Sequence, residues 1–425
     1  MCSKPLKIVL WFLYLFLAGC FSQKALLMQH LIEHGPLAPP EPISQEKFKE
    51  IWNHILSSYV EKIPDTPRQR TLCFQKFNEG KIYECLDFFS SYLTPAKRRL
   101  LEIRSRGSYI GTGILIDEGD KDFPTLLDII EGAPADRSGQ FHPFDTIVEI
   151  NGINVRQKSI FEIMVMLDDG EEGSFVSARV TRKGVMRPPV FLKREMIMIK
   201  TVTAYDIEEE ITFLKVGCSF SEETPKELLK TIAEKRAAKP STAFVLDLRG
   251  VLGGPLIVPP KIGAYFARDA SELLLTRIAR EDTFTIRVKD LIDEGEITLE
   301  EVGILRDVVL MALINQFSVS ATEGVAAILR DLGGVLLIGD KTFGKGSVQR
   351  VVPLSDGSGL NLTIGRFSAV HGIEIEERGV KPDIKVRIPY GKDPVLCSDA
   401  LDLHNDRQLR RAVEVISKKR DFDSK

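Results

Sequence analysis

One stretch decides the fold of this chain. It is residues 308–349, VVLMALINQFSVSATEGVAAILRDLGGVLLIGDKTFGKGSVQ. Two apolar runs in it, Val308–Ile314 and Val335–Ile338, predict strands that are buried on both faces. Between them, apolar residues at helical spacing predict a helix that ends at Gly333 and Gly334. A strand, a helix and another strand in this order predict a mixed α/β fold.

Two side chains in this stretch are candidates for catalysis. Ser320 lies at the turn from strand to helix, where the hydroxyl is lifted from the backbone near the positive end of the helix dipole. Lys345 lies between two glycines after the second strand, and burial there would lower its pKa so that it could act as a base. The structural alternative is that Ser320 only caps the helix, because residues 320–323 form an S-x-x-E capping box, and that Lys345 is a loop lysine.

A third apolar run, Ala243–Leu248, also predicts a buried strand. It is followed by Gly250-Val251-Leu252-Gly253-Gly254. Glycines directly after a buried strand leave backbone N–H groups free to face a ligand or an oxyanion.

The composition narrows the class of protein. The 425 residues predict two to four domains at ~100–200 residues each. With 44% hydrophobic and 28% charged residues the chain is not disordered throughout, and a net charge of −3 makes a nucleic acid an unexpected partner. The six cysteines form no CxxC pair and the six histidines are scattered, so we expect hydrolytic chemistry without a metal or another cofactor.

The N-terminus has the pattern of an export signal. Lys4 and Lys7 precede the apolar run Ile8–Ala18, which is too short to span a bilayer. Gly19-Cys20 then resembles the end of a bacterial lipobox, which implies lipidation of Cys20 and a protein anchored in the cell envelope. The alternative is an ordinary secretory signal in which Cys20 is incidental. Export would place the later cysteines where disulfides form, and the sequence leaves open whether Cys73 and Cys85 pair.

A Pro-rich linker precedes a helical N-terminal domain. Helical spacing predicts one buried stripe made of Ile51, Trp52, Ile55, Leu56 and Tyr59. A second helix is predicted over Ile82–Leu93, before Pro95.

From about Ser105 short strands alternate with glycine turns. Strands are predicted over Ser108–Asp117, Thr125–Ile130, Thr146–Ile150 and Ser174–Thr181, and a capping box at Ser159 opens a helix that Gly170 closes. The order of Ala133-Pro134-Ala135, Gly139 and residues 145–152 (DTIVEING) resembles a PDZ domain. The alternative is a small β-rich domain without a ligand.

The PDZ resemblance implies a peptide-binding loop over Ser108–Gly113 and a groove strand over Thr112–Ile116. The residues implied to face a peptide terminus are Gly111, Thr112, Gly113 and Ile114. An open strand edge beside a glycine-rich loop suits that role, because it offers N–H groups to a carboxylate. The usual Pro-Gly-Asp turn is His142-Pro143-Phe144-Asp145 here, so its glycine is lost.

Taken in order, these segments resemble the tail-specific or carboxyl-terminal processing proteases, over about residues 75–415. These are serine peptidases with a PDZ domain before a crotonase-like core shared with Clp-type proteases. The specific part is SVSATE followed by GDKTFGKGSVQ. The resemblance implies Ser320 as nucleophile, Lys345 as general base and Gln349 as the residue that holds the lysine. It implies an oxyanion hole from Ala321 and either Gly253 or Gly254, and a supporting aspartate at Asp331.

The predicted organisation is a lipoprotein signal peptide (1–19), a linker (20–44), a helical domain (45–104), a PDZ domain (105–188), a protease core (189–390) and a helical C-terminal segment (391–425). The implied function is a lipid-anchored endopeptidase outside the cytoplasmic membrane that takes unfolded envelope proteins by their exposed C-termini. Members of such families are often oligomers, and some need an adaptor lipoprotein. The competing hypotheses are a catalytically silent PDZ scaffold, favoured by the altered turn at 250–252, and a crotonase-like enzyme acting on acyl thioesters.

Overall fold

The computed structural model describes residues 42–117, 123–130, 132–156, 158, 160–208, 210–240, 242–387 and 406–423. The predicted signal peptide, Cys20, Ser159 and Cys397 lie outside these ranges. Within them no helix has both the length and the apolar content that a membrane span requires.

The N-terminal region is largely helical, as predicted. Its elements are α1 (Gln45–Ser58), α2 (Pro67–Asn78), a 3₁₀ turn (Ile82–Glu84), β1 (Ser91–Leu93) and α3 (Pro95–Arg106). The predicted stripe is buried at Ile51, Trp52, Ile55 and Tyr59, and Leu56 packs against it partly buried. Cys73 and Cys85 form a disulfide across α2 and the turn that follows.

The predicted helix over residues 82–93 is wrong. Only the 3₁₀ turn Ile82–Glu84 is helical, and Ser91–Leu93 is the strand β1. The cause is tertiary: β1 pairs antiparallel with residues 359–361 of a strand far along the chain, which supplies the backbone partners that a helix would have supplied. Asp87 makes the turn before it, because its carboxylate accepts hydrogen bonds from the N–H groups of Phe89 and Ser90.

A β-rich domain, residues 108–198, follows. Its elements are β2 (Ser108–Gly111), β3 (Ile114–Asp117), β4 (Thr125–Ile129), α4 (Pro134–Ser138), β5 (Thr146–Ile150), β6 (Ile153–Asn154), α5 (Ile160–Asp168), β7 (Phe175–Arg182), β8 (Val185–Met186), β9 (Val190–Lys193) and β10 (Glu195–Met198). The main sheet has the order β3-β4-β5-β7-β8, with β6 on β5 and β9 on β7. Helix α5 packs beside β3, since its Ile163 and Leu167 share a core with Ile114.

Two details of this domain differ from the predictions. Residues 108–117 form two strands rather than one, and the predicted loop 108–113 is strand over 108–111, because β2 pairs antiparallel with β10. The glycine missing from the 142–145 turn is replaced by Phe144 at a φ of 69°, with its side chain 82% exposed.

The core is a mixed α/β structure, as predicted. Its elements are β11 (Val202–Glu208), β12 (Ile211–Val216), α6 (Thr224–Ala238), β13 (Ala243–Asp247), α7 (Val258–Ala264), β14 (Leu273–Ala279), β15 (Thr283–Arg287), α8 (Val288–Asp293), a 3₁₀ turn (Leu299–Glu301), β16 (Leu310–Ile314), α9 (Ala321–Gly333), β17 (Leu336–Gly339), β18 (Ser347–Pro353), β19 (Gly359–Ala369), a 3₁₀ turn (Val370–Gly372), β20 (Ile373–Glu374), β21 (Ile384–Lys385) and α10 (Arg407–Asp423).

One sheet of this core carries the site. Its order is β11-β12-β13-β16-β17-β21, and the strands from β12 onward run parallel. Helix α9 covers one face and α10 the other, so β13 and β16 are buried on both sides, as continuous apolar runs require. A second sheet, built on β19, packs on the outer side of α9 and takes up β1 from the N-terminal region.

Because β13, β16 and β17 are neighbours and parallel, their carboxyl ends lie at one edge of the sheet. The three segments that follow these strands are 248–254, 315–320 and 340–346. They are the segments that hold the predicted catalytic residues, so the sheet brings those residues together. Arg249 fixes the first of them: its buried guanidinium bonds Asp247 at 2.7 Å and Asp406, just before α10, at 2.7 Å.

Candidate active site

Ser320 lies on a strained backbone at the start of α9. Its φ of 60° and ψ of −121° put a residue with a Cβ in a region that L-residues avoid, at a cost of about 1–3 kcal/mol. The preceding turn is fixed by Asn315 Oδ1, which accepts from the N–H of Phe317 at 3.0 Å and of Gly250 at 3.3 Å. Ser318 Oγ donates to the Leu248 carbonyl at 2.8 Å. The turn therefore holds the serine of the SVSATE motif in a conformation that the chain would not adopt unaided.

Glu323 fastens the serine turn to the lysine loop. Its fully buried carboxylate accepts from the N–H of Ser320 (2.9 Å) and of Lys345 (2.8 Å) through Oε2. Through Oε1 it accepts from the N–H of Gly344 (2.6 Å) and the hydroxyl of Thr342 (2.5 Å). Burial raises the pKa of Glu323 to about 7, against these four donors, which lower it. The capping box predicted from the sequence thus does more than begin a helix.

Lys345 has the environment of a base. Its Nζ donates to Gln349 Oε1 at 2.6 Å and to the Ser347 carbonyl at 3.3 Å, and it lies 4.6 Å from the centre of the Phe89 ring. Burial of the amine lowers the pKa of Lys345 to about 8, although Glu376, Asp87 and Glu323 act in the opposite direction. A neutral amine is therefore far more accessible here than on a lysine in water.

The loops that carry Ser320 and Lys345 meet at Glu323, but among the described residues the two side chains form no hydrogen bond with each other. Among the hydrogen bonds of the described residues, those of Lys345 Nζ go to Gln349 and Ser347, and none joins it to Ser320 Oγ. Catalytic hydrogen bonds are often long in a free enzyme and form when substrate binds. Gln349 Nε2 is itself held by Ser347 Oγ and Thr363 Oγ1, so the lysine has a defined resting position.

The predicted oxyanion residues surround the serine. A Cβ added to Gly253 would lie 2.9 Å from Ser320 Cβ and 3.3 Å from the Ala321 nitrogen, so the two backbones are in contact. Gly253 has a φ of 104° and Gly254 a φ of 151°, and Gly254 packs equally closely on Phe220. None of the hydrogen bonds within the described ranges uses the N–H of Gly253, Gly254 or Ala321. These donors are available to an oxyanion.

The other predicted residues lie elsewhere. Gly111, Thr112, Gly113 and Ile114 lie at the junction of β2 and β3 in the β-rich domain. Asp331 lies in the last turn of α9, about 16 Å along the helix from Ser320, and pairs with Arg330 at 2.9 Å. Asp331 is therefore not placed to support the lysine.

Sequence reasoning missed two contributors. Phe89 covers the lysine from the N-terminal region, and nothing local in its sequence connects it to residue 345. Thr342 is in the quoted GDKTFGKG motif, but its bond to Glu323 depends on the approach of two loops.

Residues 214–386 match the model of peptidase family S41. The chain is also similar to carboxy-terminal processing proteases. It is 28% identical over 357 residues, 83% of this chain and 72% of the relative, to carboxy-terminal processing protease CtpA of Bacillus subtilis (strain 168). It is 29% identical over 386 residues, 88% of this chain and 82% of the relative, to the carboxy-terminal-processing protease of Bartonella bacilliformis.

Among solved structures, the photosystem II D1 C-terminal processing protease is 24% identical, with a TM-score of 0.46, over 81% of this chain and 94% of that chain. The predicted resemblance to carboxyl-terminal processing proteases is confirmed, and this chain is a serine-type endopeptidase.

Gly253→Ala should abolish most of the activity of this peptidase. The new Cβ would collide with Ser320 Cβ at 2.9 Å and with the Val319 carbonyl at 3.0 Å, so the loop and its N–H must move. Loss of one oxyanion donor lowers kcat by roughly 10²–10³ in peptidases, and we expect a fall in kcat/KM of about that size.

The matched control is Gly184→Ala, which also has a positive φ of 77° but no neighbour within 4 Å. It should retain the parent's kcat/KM for a fluorogenic peptide. Equal activity of Gly253→Ala and the parent would show that this loop is not part of the site.

Proposed function

We propose that this chain is a lipid-anchored endopeptidase of the bacterial envelope that takes substrate proteins by their C-termini through a PDZ domain and cuts them with a Ser320–Lys345 dyad. Its substrates would be unfolded or partly folded envelope proteins, in precursor processing or quality control. The single observation that carries the proposal is that the Glu323 carboxylate accepts from the backbone N–H groups of both Ser320 and Lys345 and so joins the two loops. The lowered pKa of the buried Lys345 amine supports it.

In the mechanism that we propose, neutral Lys345 Nζ leaves its bond to Gln349 and accepts the proton of Ser320 Oγ as this oxygen attacks the carbonyl carbon of the scissile bond. The carbonyl oxygen gains the negative charge, which the N–H groups of Ala321 and Gly253 stabilise. The lysine ammonium then gives its proton to the departing amine nitrogen, which leaves an acyl-serine. Water cleaves this ester with the lysine again as base, and Ser320 recovers its proton.

The pKa sets the pH dependence of this mechanism. Because the pKa of Lys345 is lowered to about 8, the neutral base is about a tenth of the enzyme at pH 7 and most of it at pH 9. A lysine at its ordinary value would be neutral in about one molecule in three thousand at pH 7.

The PDZ assignment is supported by the geometry of the β-rich domain. In the part of the chain that the structure describes, β3 pairs only with β4, and α5 packs along its other side. An edge strand beside a helix is the arrangement into which a peptide adds as a further strand. The anchor is supported by the sequence alone, through the short apolar run and Gly19-Cys20.

The competing scaffold hypothesis rests on the altered turn at residues 250–252. In this turn the N–H of Gly250 donates to Asn315 Oδ1 and the N–H of Arg249 donates to Asp247 Oδ1. Among the described residues the N–H groups of Gly253 and Gly254 remain available. A turn that differs in sequence but leaves these donors beside Ser320 gives little reason to expect a silent enzyme.

The dyad is tested with casein and a form of the chain that starts after Cys20. Ser320→Ala and Lys345→Ala should each lower cleavage by 10³-fold or more, in the range seen when one member of a catalytic set is removed. Lys341→Ala, an exposed lysine of the same loop, is the control and should cut like the parent.

The outcomes separate the hypotheses. A silent parent would favour the scaffold or a missing adaptor and would contradict unaided proteolysis. Parent and Ser320→Ala cutting alike would mean that another residue is the nucleophile.

The anchor is tested with Cys20→Ser in the full chain. Lipidation requires the thiol, so the variant should lose incorporation of labelled palmitate and leave the membrane fraction after signal cleavage. If the parent takes up no label, and parent and Cys20→Ser are found in the membrane fraction to the same extent, Cys20 is incidental to an ordinary secretory signal.

A further inference from the structure

We propose that the Asp168 carboxylate competes with the C-terminal carboxylate of a substrate for the donors of the loop at Gly111–Gly113. A substrate tail enters this loop only by displacing Asp168, so Asp168 sets the affinity for tails. The inference rests on the proposed tail-binding function of the β-rich domain.

The donors of the loop that would bind a tail carboxylate already form hydrogen bonds within the domain. Thr112 donates to Asp168 Oδ1 through its N–H at 2.9 Å and through its hydroxyl at 3.2 Å. Gly113 has a backbone hydrogen bond with the Tyr109 hydroxyl. Both residues belong to the set that the sequence predicts for a peptide terminus, and their polar groups face partners from within the domain.

The carboxylate of Asp168 lies directly against this loop. A Cβ added to Gly111 would lie 2.5 Å from Asp168 Oδ1 and 2.8 Å from its Cγ, so the acid packs flat on the glycine backbone. Asp168 is only 6% exposed. The Tyr109 ring and the Asp168 carboxylate thus both pack against Gly111, in the loop where the proposed tail carboxylate would bind.

Asp168 lies where the C-terminus of a bound peptide would end. It is the last residue of α5, the helix along the open side of β3, and Thr112–Gly113 lead directly into β3. A peptide added to the edge of β3 would therefore end beside Asp168. Two carboxylates that need the same N–H repel each other at short range, most strongly where water is excluded.

Among the described residues no Lys, Arg or His forms an ion pair with Asp168, although the charges of Arg194 and Arg99 act to lower its pKa. Arg194 donates to the carbonyls of Met166 and Leu167 at the end of α5, and Arg99 pairs with Asp169 at 3.0 Å. Tyr109 on β2 is the other titratable group against Asp168, and burial with this acid raises its pKa above the ordinary range. Burial raises the pKa of Asp168 to about 6, so the acid is mostly ionised at pH 7.5 and half neutral near pH 6.

The test measures peptide binding to the full chain, purified in detergent, in a Ser320→Ala background that prevents cleavage. The ligand is one fluorescent apolar-ended decapeptide, made as the free acid and as the C-terminal amide. Asp168→Asn removes the charge at constant shape, and Asp168→Ala also frees the Thr112 donors. Asp169→Asn, the exposed neighbouring acid, is the matched control.

Both Asp168 variants should bind the free acid at least tenfold more tightly than the background, whereas the amide should change little. The control should match the background for both ligands. In the background the affinity for the acid should rise between pH 7.5 and pH 5.5, and in Asp168→Asn this rise should be absent.

Unchanged or weaker binding of the acid in Asp168→Asn, which is the variant least able to disturb the fold, would overturn the inference. Absence of binding in every variant would overturn it as well. Either result would leave the casein experiment untouched, because cleavage by the parent with Ser320 intact is measured separately and does not depend on this peptide.

Discussion

The carboxylate of Glu323 is the constraint on which the site depends. Among the described residues it has no cationic partner, and it accepts from four donors: the backbone N–H groups of Gly344, Lys345 and Ser320 and the hydroxyl of Thr342. If these bonds were absent, the carboxylate would have no compensation for its burial, so the two loops can lie only where they satisfy it. Glu323 is therefore the one group that holds both the backbone of Ser320 and the backbone of Lys345.

The site also joins parts of the chain that are distant in sequence. Phe89, from the N-terminal region, encloses the lysine amine, and Ser90 bonds Thr363, which holds Gln349. On the opposite side the N–H of Phe220 donates to the Gly253 carbonyl, and the neighbouring Ser221 packs against Gly107 at the entrance to the β-rich domain. The lysine and the oxyanion loop are thus each in contact with a flanking region of the chain.

Local pattern was enough for the parts of the fold that are decided locally. The continuous apolar runs at residues 243–248 and 308–314 gave strands buried on both faces, and the glycine pair at 333–334 ended α9. The helix predicted over residues 82–93 was wrong because the strand that pairs with this segment, β19, lies more than 260 residues away along the chain. For the same reason the contacts of Phe89 with Lys345 and of Asp168 with Thr112 could not be predicted from the sequence. The prediction of a supporting role for Asp331 was wrong because the rise of the helix carries this residue away from Ser320.

The proposed mechanism requires a neutral Lys345 to activate Ser320. The most direct measurement is the rate at which an organophosphorus probe labels Ser320, followed by intact mass from pH 6 to pH 10. We predict a labelling rate that rises with a single ionisation near pH 8, as the lowered pKa of Lys345 requires, and that vanishes in Lys345→Ala. A rate without an ionisation near pH 8, or equal labelling of Lys345→Ala and the parent, would contradict it.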